Sequence, residues 1–92
     1  MFKLQLSKKS QKFLSNLPHK QQNQLVLKIL ELKKQGHTAD SAPLKGSDWF
    51  RTDAGEYRII YMIESPDILV IPLIGKRNDD EIYKKFRRLH KN

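Results

Sequence analysis

An α+β domain, with a small antiparallel sheet, an N-terminal helical hairpin and a C-terminal helix, is the fold this sequence predicts. Three observations lead there. Two amphipathic stretches separated by Pro18 occupy residues 8–35. Two strongly apolar runs, residues 57–63 and 68–74, flank the turn-forming Glu64-Ser65-Pro66-Asp67. A last stretch spaces Ile82, Phe86 and Leu89 as one helical stripe and ends in basic residues. Ninety-two residues support one modest core, so a single domain over residues 1–92 is expected.

The elements follow in order. Phe2-Lys3-Leu4-Gln5-Leu6 alternates apolar and polar side chains and reads as a short half-buried strand. Ser7 can cap a helix that turns Phe13, Leu14 and Leu17 inward. Pro18 breaks that helix, and its fixed φ suits the first turn of the next. The second helix runs to about Gln35 and buries Leu25, Ile29 and Leu32, with Val26 and Leu30 alongside; Gly36 suits a left-handed stop. Residues 36–43 are small and polar and read as a loop. Leu44-Lys45-Gly46 resumes order, and residues 48–53 form a strand that turns at Ala54-Gly55.

The two apolar runs that follow read as central strands shielded on both sides. Pro72 cannot donate to a ladder, so it belongs at a bulge or an unpaired edge. Asn78 or Asp79 can cap the last helix, with Glu81 placed for a capping box behind Asn78. Its acidic first turn and its Lys84, Lys85, Arg87 and Arg88 follow the helix dipole. Tyr83 lies about 100° around the helix from Ile82, at the edge of the buried stripe. The whole order is β-α-α-β-β-β-α.

The net charge is +8, unevenly distributed. Residues 1–35 hold eight lysines and one acid, residues 36–67 three basic and six acidic groups, and residues 68–92 seven basic and three acidic. Such a pattern suits either solubility or a polyanionic or acidic partner. The chain contains no cysteine, which excludes disulfides and thiolate metal sites. No His/Asp/Glu cluster has metal-ligand spacing and no glycine-rich phosphate loop is present, so no cofactor is expected. No apolar run reaches the roughly 18 residues of a membrane span, and the N-terminus lacks a signal-peptide core, so the cytoplasm is the expected location. His19, His37 and His90 are expected at the surface without a catalytic role.

Chemistry is concentrated in the second half. Gly55-Glu56-Tyr57-Arg58-Ile59-Ile60-Tyr61 and Ile74-Gly75-Lys76-Arg77 place cations at strand ends, and Tyr83 follows on a helix. Arginine holds a phosphate through two charge-assisted hydrogen bonds and keeps its proton. A tyrosine among cations can transfer a proton or stack on a splayed base. Taken one at a time, Arg58 could as well pair with Glu56 or Glu64, and Lys76-Arg77 could be a solvated turn.

These landmarks resemble the RelE/ParE superfamily of bacterial type II toxin–antitoxin toxins. The likeness is carried by Leu44-Lys45-Gly46, by Trp49-Phe50-Arg51 with Gly55 to Tyr61, and by Ile74-Gly75-Lys76-Arg77 with Tyr83. It implies a RelE-like toxin fold and a ribosome-dependent mRNA endonuclease that works without metal, by attack of the 2′-hydroxyl on its own phosphate. It places Arg58, Arg77 and Tyr83 on the catalytic set, with Arg51 where that set has a lysine; Lys45, Lys76 and Arg87 are the expected RNA-binding groups. A second lysine of that set is replaced by Trp49, and the next basic position by Asp53. The resemblance also implies an acidic antitoxin partner on the basic surface, with the helical hairpin one place to look, and DNA contact only through that partner. A ParE-like inhibitor of DNA gyrase, or a catalytically weakened toxin that only binds its antitoxin, are the alternatives.

Overall fold

One sheet with an apolar layer on each face organises the chain. The structure, a computed structural model, describes residues 1–77 and 81–89. Its elements are β1 (Lys3–Leu6), α1 (Lys8–Ser15), α2 (His19–Gln35), β2 (Ala42–Pro43), β3 (Phe50–Ala54), β4 (Tyr57–Glu64), β5 (Ile68–Lys76) and α3 (Glu81–Leu89). The strand order is β1-β5-β4-β3-β2. The expected capping groups Asn78, Asp79 and the Glu81 side chain, together with the Leu89 side chain and His90, lie outside the described residues and side chains.

The sheet is mixed, which corrects the antiparallel expectation. β1 runs parallel to β5, from Lys3↔Ile68 to Leu6↔Ile71, and the other pairings are antiparallel. The two helices carry the chain across the sheet after β1, so β1 and β5 are free to point the same way. The segment expected to be a loop also contributes β2, two residues paired with Phe50 and Arg51.

Local chemistry accounts for the boundaries. Ser7 Oγ accepts the Ser10 N–H at 3.0 Å and caps α1. The same hydroxyl donates to Pro72 O at 2.7 Å, tying that cap to the sheet. Pro18 stands at the N-cap of α2 in extended conformation, one position earlier than a first-turn proline. Gly36 ends α2 with φ +83°, its N–H on Leu32 O at 2.8 Å. Pro72 sits where β5 has one residue more than β4: Ile60 pairs with Leu73 but Met62 with Val70, so Ile71 and Pro72 together face Tyr61. The bulge absorbs the missing donor and reverses the alternation, so Ile71 and Ile74 share one face while Val70 and Leu73 share the other.

Leu14, Leu25, Ile29 and Leu32 from α1 and α2 pack on Ile59, Tyr61, Leu69, Ile71 and Ile74 in the main core. On the opposite face, Ile60 and Leu73 pack on Ile82 of α3, with Leu44, Trp49, Tyr83 and Phe86 around them. β4 and β5 are thus covered on both faces, as their apolar runs predict. Val26 and Leu30 are not buried as expected. They are 40% and 51% exposed, with Leu27 at 67%, because α2 carries more apolar residues than the stripe facing the sheet can cover.

Candidate functional site

The β3–β4 hairpin fixes the site. Gly55 and Glu56 form its two-residue turn, and Gly55 has φ +60°, a conformation that strains any residue with a Cβ. The pairing that follows sets Ala54 opposite Tyr57 and Asp53 opposite Arg58. Alternation along the strands turns Arg51, Asp53, Arg58 and Ile60 toward α3, and Thr52, Ala54, Tyr57 and Ile59 toward α1 and α2.

Arg58 crosses the gap to α3. Its Nε donates to Asp53 Oδ1 at 2.7 Å and its Nη2 to Asp53 Oδ2 at 3.1 Å, a bidentate pair. Its Nη1 donates to the Tyr83 hydroxyl, and the guanidinium carbon lies 5.9 Å from the Tyr83 ring centroid. The Asp53 carboxylate raises Arg58 above the ordinary arginine value, against burial and with help from Tyr83. Gly75, the partner of Arg58 on β5, leaves room for Ile82, and that contact seats the turn of α3 bearing Tyr83.

Tyr83 also lines a groove of about 450 Å³ with Lys45, Ser47, Phe86 and Arg87, floored by Pro43 and Leu44. Arg87 stands one helical turn beyond Tyr83, on the same side of α3. Lys45 comes from the loop between β2 and β3. The groove therefore brings two cations and a phenol together beside apolar side chains.

The remaining expected groups are placed as follows. Arg51 is half-buried on β3, on the same sheet face as Asp53 and opposite Ile60. Arg77 is exposed just past β5, its N–H on Glu56 O at 2.9 Å, beside the hairpin turn. Lys76 pairs with Tyr57, whose ring packs edge-on against Phe13 of α1 at 5.7 Å. That register turns Lys76 to the opposite sheet face, away from Arg58. Trp49 is half-buried and packs on Phe86 at 5.3 Å, supporting α3.

Three features were missed. The partner of Arg58 is Asp53, not Glu56 or Glu64; a two-residue turn at Gly55-Glu56 would have paired them directly. Asp40 is a hub: its carboxylate accepts from Thr38 Oγ1 (2.8 Å), Thr52 Oγ1 (2.9 Å), Asp53 N (2.9 Å) and Lys28 Nζ (3.1 Å). Burial would raise Asp40, but these donors hold it well below the usual carboxylate range. His37 is exposed, yet its Nδ1 lies 2.7 Å from the Tyr61 hydroxyl and its ring 4.2 Å from that of Phe50. Tyr61 donates in turn to Ser41 at 2.7 Å, and burial pushes its hydroxyl up from the ordinary tyrosine value. This network pins the loop after α2 onto β3 and β4. Nothing in the spacing of His37 and Asp40 signals it, because their partners lie 12 or more residues away or in a tight local turn.

No protein-family model matches the chain, and no curated protein matches it in sequence. Solved structures do match in fold. An arginine-substituted mutant of the E. coli toxin RelE in the free state has a TM-score of 0.76 at 17% identity, covering 96% of this chain and 97% of that one. A chain of the toxin–antitoxin complex RelBE2 from Mycobacterium tuberculosis gives 0.71 at 20%, covering 83% and 98%. A chain of the RelB–RelE antitoxin–toxin complex from Methanococcus jannaschii gives 0.68 at 22%, covering 88% and 96%. The chain therefore has the fold of these RelE toxins.

Proposed function

We propose that this protein is the toxin of a type II toxin–antitoxin pair, and that it cleaves messenger RNA on the ribosome without a metal ion. The observation that carries this reading is the contact of Arg58 Nη1 with the Tyr83 hydroxyl beside a groove holding Lys45 and Arg87. The scissile phosphate lies against Arg58, with Arg77 closing from the hairpin end and Arg51 adding charge. The 2′-oxygen attacks phosphorus and its proton leaves to solvent. The bond to the 5′-oxygen breaks, giving a 2′,3′-cyclic phosphate. Because Arg58 donates to the phenol oxygen, the Tyr83 proton is free to be given to the leaving 5′-oxygen. Arginine donors aimed at the phosphorane supply about 3–4 kcal/mol each, or 10²–10³ in rate.

An acidic, amphipathic antitoxin suits the other side of the molecule. Residues 1–35 hold eight lysines and one acid, and α2 exposes Val26, Leu27 and Leu30 among them. Two solved neighbours are toxin–antitoxin complexes, which supports a partner of this kind. The open groove and its few groups leave substrate alignment to the ribosome.

Cleavage of a defined messenger RNA, with and without programmed ribosomes, tests the reading. The expected result is cutting only with ribosomes, lost in Arg77→Ala. Equal cutting by Arg77→Ala removes that residue from the site, and no cutting by folded parent protein rejects the nuclease. A second reading, gyrase inhibition by protein binding, is favoured by Trp49 packing on Phe86 where a RelE-type nuclease has a catalytic lysine. Inhibition of supercoiling without RNA cleavage would select it.

A further inference from the structure

Asp53 takes no part in that reaction scheme, yet it makes a bidentate contact on the sheet face beneath α3. It meets Arg58 through both carboxylate oxygens, at 2.7 and 3.1 Å. The side chains of Arg58 and Asp53 are 15% and 21% exposed. The two residues are opposite each other in the hairpin register, so backbone pairing, rather than a free surface rotamer, brings them together.

A guanidinium carries five N–H groups in one plane. Asp53 occupies the side edge, through Nε and Nη2. The Tyr83 hydroxyl takes one N–H of Nη1. Among the described residues nothing else meets the guanidinium, which leaves two N–H groups, one on each terminal nitrogen, that phosphate oxygens can take. Asp53 is itself held from behind: its backbone N–H donates to Asp40 Oδ2 at 2.9 Å, and Thr38 and Thr52 hold Asp40. A carboxylate that merely competed with phosphate would occupy the donors that phosphate needs and would be loosely held. Asp53 does neither.

We propose that Asp53 is the positioning residue of this site: gripping Arg58 by its side edge, it delivers Nη1 to the Tyr83 hydroxyl and leaves the other donors for the scissile phosphate. The proposal rests on the nuclease reading for its consequence, but not for its geometry. A basic residue here could not accept from a guanidinium, so the grip depends on the carboxylate at position 53.

The test uses the full-length chain with Asp53→Asn, Asp53→Glu and Arg58→Gln. Asp53→Asn keeps the shape but turns an amide toward a group that only donates. Two quantities are read: the 13C shift of the Tyr83 phenol carbon, and single-turnover cleavage of a defined messenger RNA on programmed ribosomes. In Asp53→Asn the Tyr83 signal moves toward its position in Arg58→Gln. Cleavage falls by about 10²-fold, the cost of misplacing a reacting group by an ångström. Binding to a short single-stranded RNA stays near the parent value, and Asp53→Glu recovers much of the rate. A Tyr83 signal and a cleavage rate that stay at parent values, with only the melting temperature lowered, would overturn the proposal. So would tighter RNA binding with unchanged cleavage, which would make Asp53 a competitor of phosphate. If the parent cuts no RNA, the nuclease reading fails by itself, and the Tyr83 signal still decides the positioning claim either way.

Discussion

Gly75→Ala probes how α3 is seated. A Cβ at position 75 would lie 3.2 Å from each of Cβ, Cγ1 and Cδ1 of Ile82, which is 2% exposed. Carbon pairs are most stable at about 3.5–4.0 Å, so α3 must retreat by roughly 0.3–0.8 Å or Ile82 must leave its rotamer. Overpacking of that kind costs about 1–3 kcal/mol. Replacing glycine within a strand returns about 0.5–1 kcal/mol of backbone entropy. The clash wins, leaving a net loss of about 1–2 kcal/mol, which for a domain of this size lowers the melting temperature by roughly 5–15 °C. Ile82→Val removes the Cδ1 contact, so it should cost less in the Gly75→Ala background than the roughly 0.5–1.5 kcal/mol it costs alone. Tyr83 follows Ile82 directly, so cleavage should fall by about tenfold with the retreat. Thermal denaturation of the four proteins measures the cycle. Unchanged stability in Gly75→Ala, or strictly additive costs, would refute this account of how α3 sits on the sheet.

Other consequences follow from the polar hub and the helix faces. Asp40→Asn should destabilise the fold by about 1 kcal/mol at neutral pH: three neutral donors and Lys28 converge on that charge, but its side chain is 44% exposed and water screens it. Asp40 titrates lower folded than unfolded, so its contribution is present above about pH 4 and is lost as the pH falls through the folded value. The stability gap between parent and variant, measured by denaturant melts, should therefore be constant from about pH 5 to 8 and close below about pH 4. Leu27→Gln and Leu30→Gln should leave the isolated chain within about 0.5 kcal/mol of the parent. Leu25→Ala, fully buried on the same helix, should cost about 2–5 kcal/mol. Equal losses for these leucines would show that the outer face of α2 is covered.

How much of this was legible varies with the range of the signal. Ser7, Gly36 and Pro72 act locally, through a cap, a left-handed stop and a missing donor, and each lands where its chemistry requires. The parallel pairing of β1 with β5 was not legible, because alternation in Phe2–Leu6 reveals a half-buried strand but not its direction or its neighbour. β2 is two residues long and includes Pro43, too little to carry a pattern. Six apolar residues between Leu25 and Leu32 exceed one helical face, so periodicity could not say which of them meet water. At the site, Arg58 and Tyr83 stood out as residue types, but their contact depends on α3 folding back over the hairpin. Lys76 and Arg77 are neighbours in the sequence, yet strand register turns Lys76 to the Tyr57 face while Arg77 lies past the strand end beside the hairpin turn.

The decisive experiment is a double-mutant cycle on ribosome-dependent cleavage of a defined messenger RNA, using Arg58→Ala, Tyr83→Phe and the double variant. If the two side chains act as one unit, each single change lowers the single-turnover rate by about 10²–10³, and the double variant is little slower than the worse single one. Losses that multiply would mean that Arg58 and Tyr83 act independently. Full activity in Tyr83→Phe would contradict the role given to its proton.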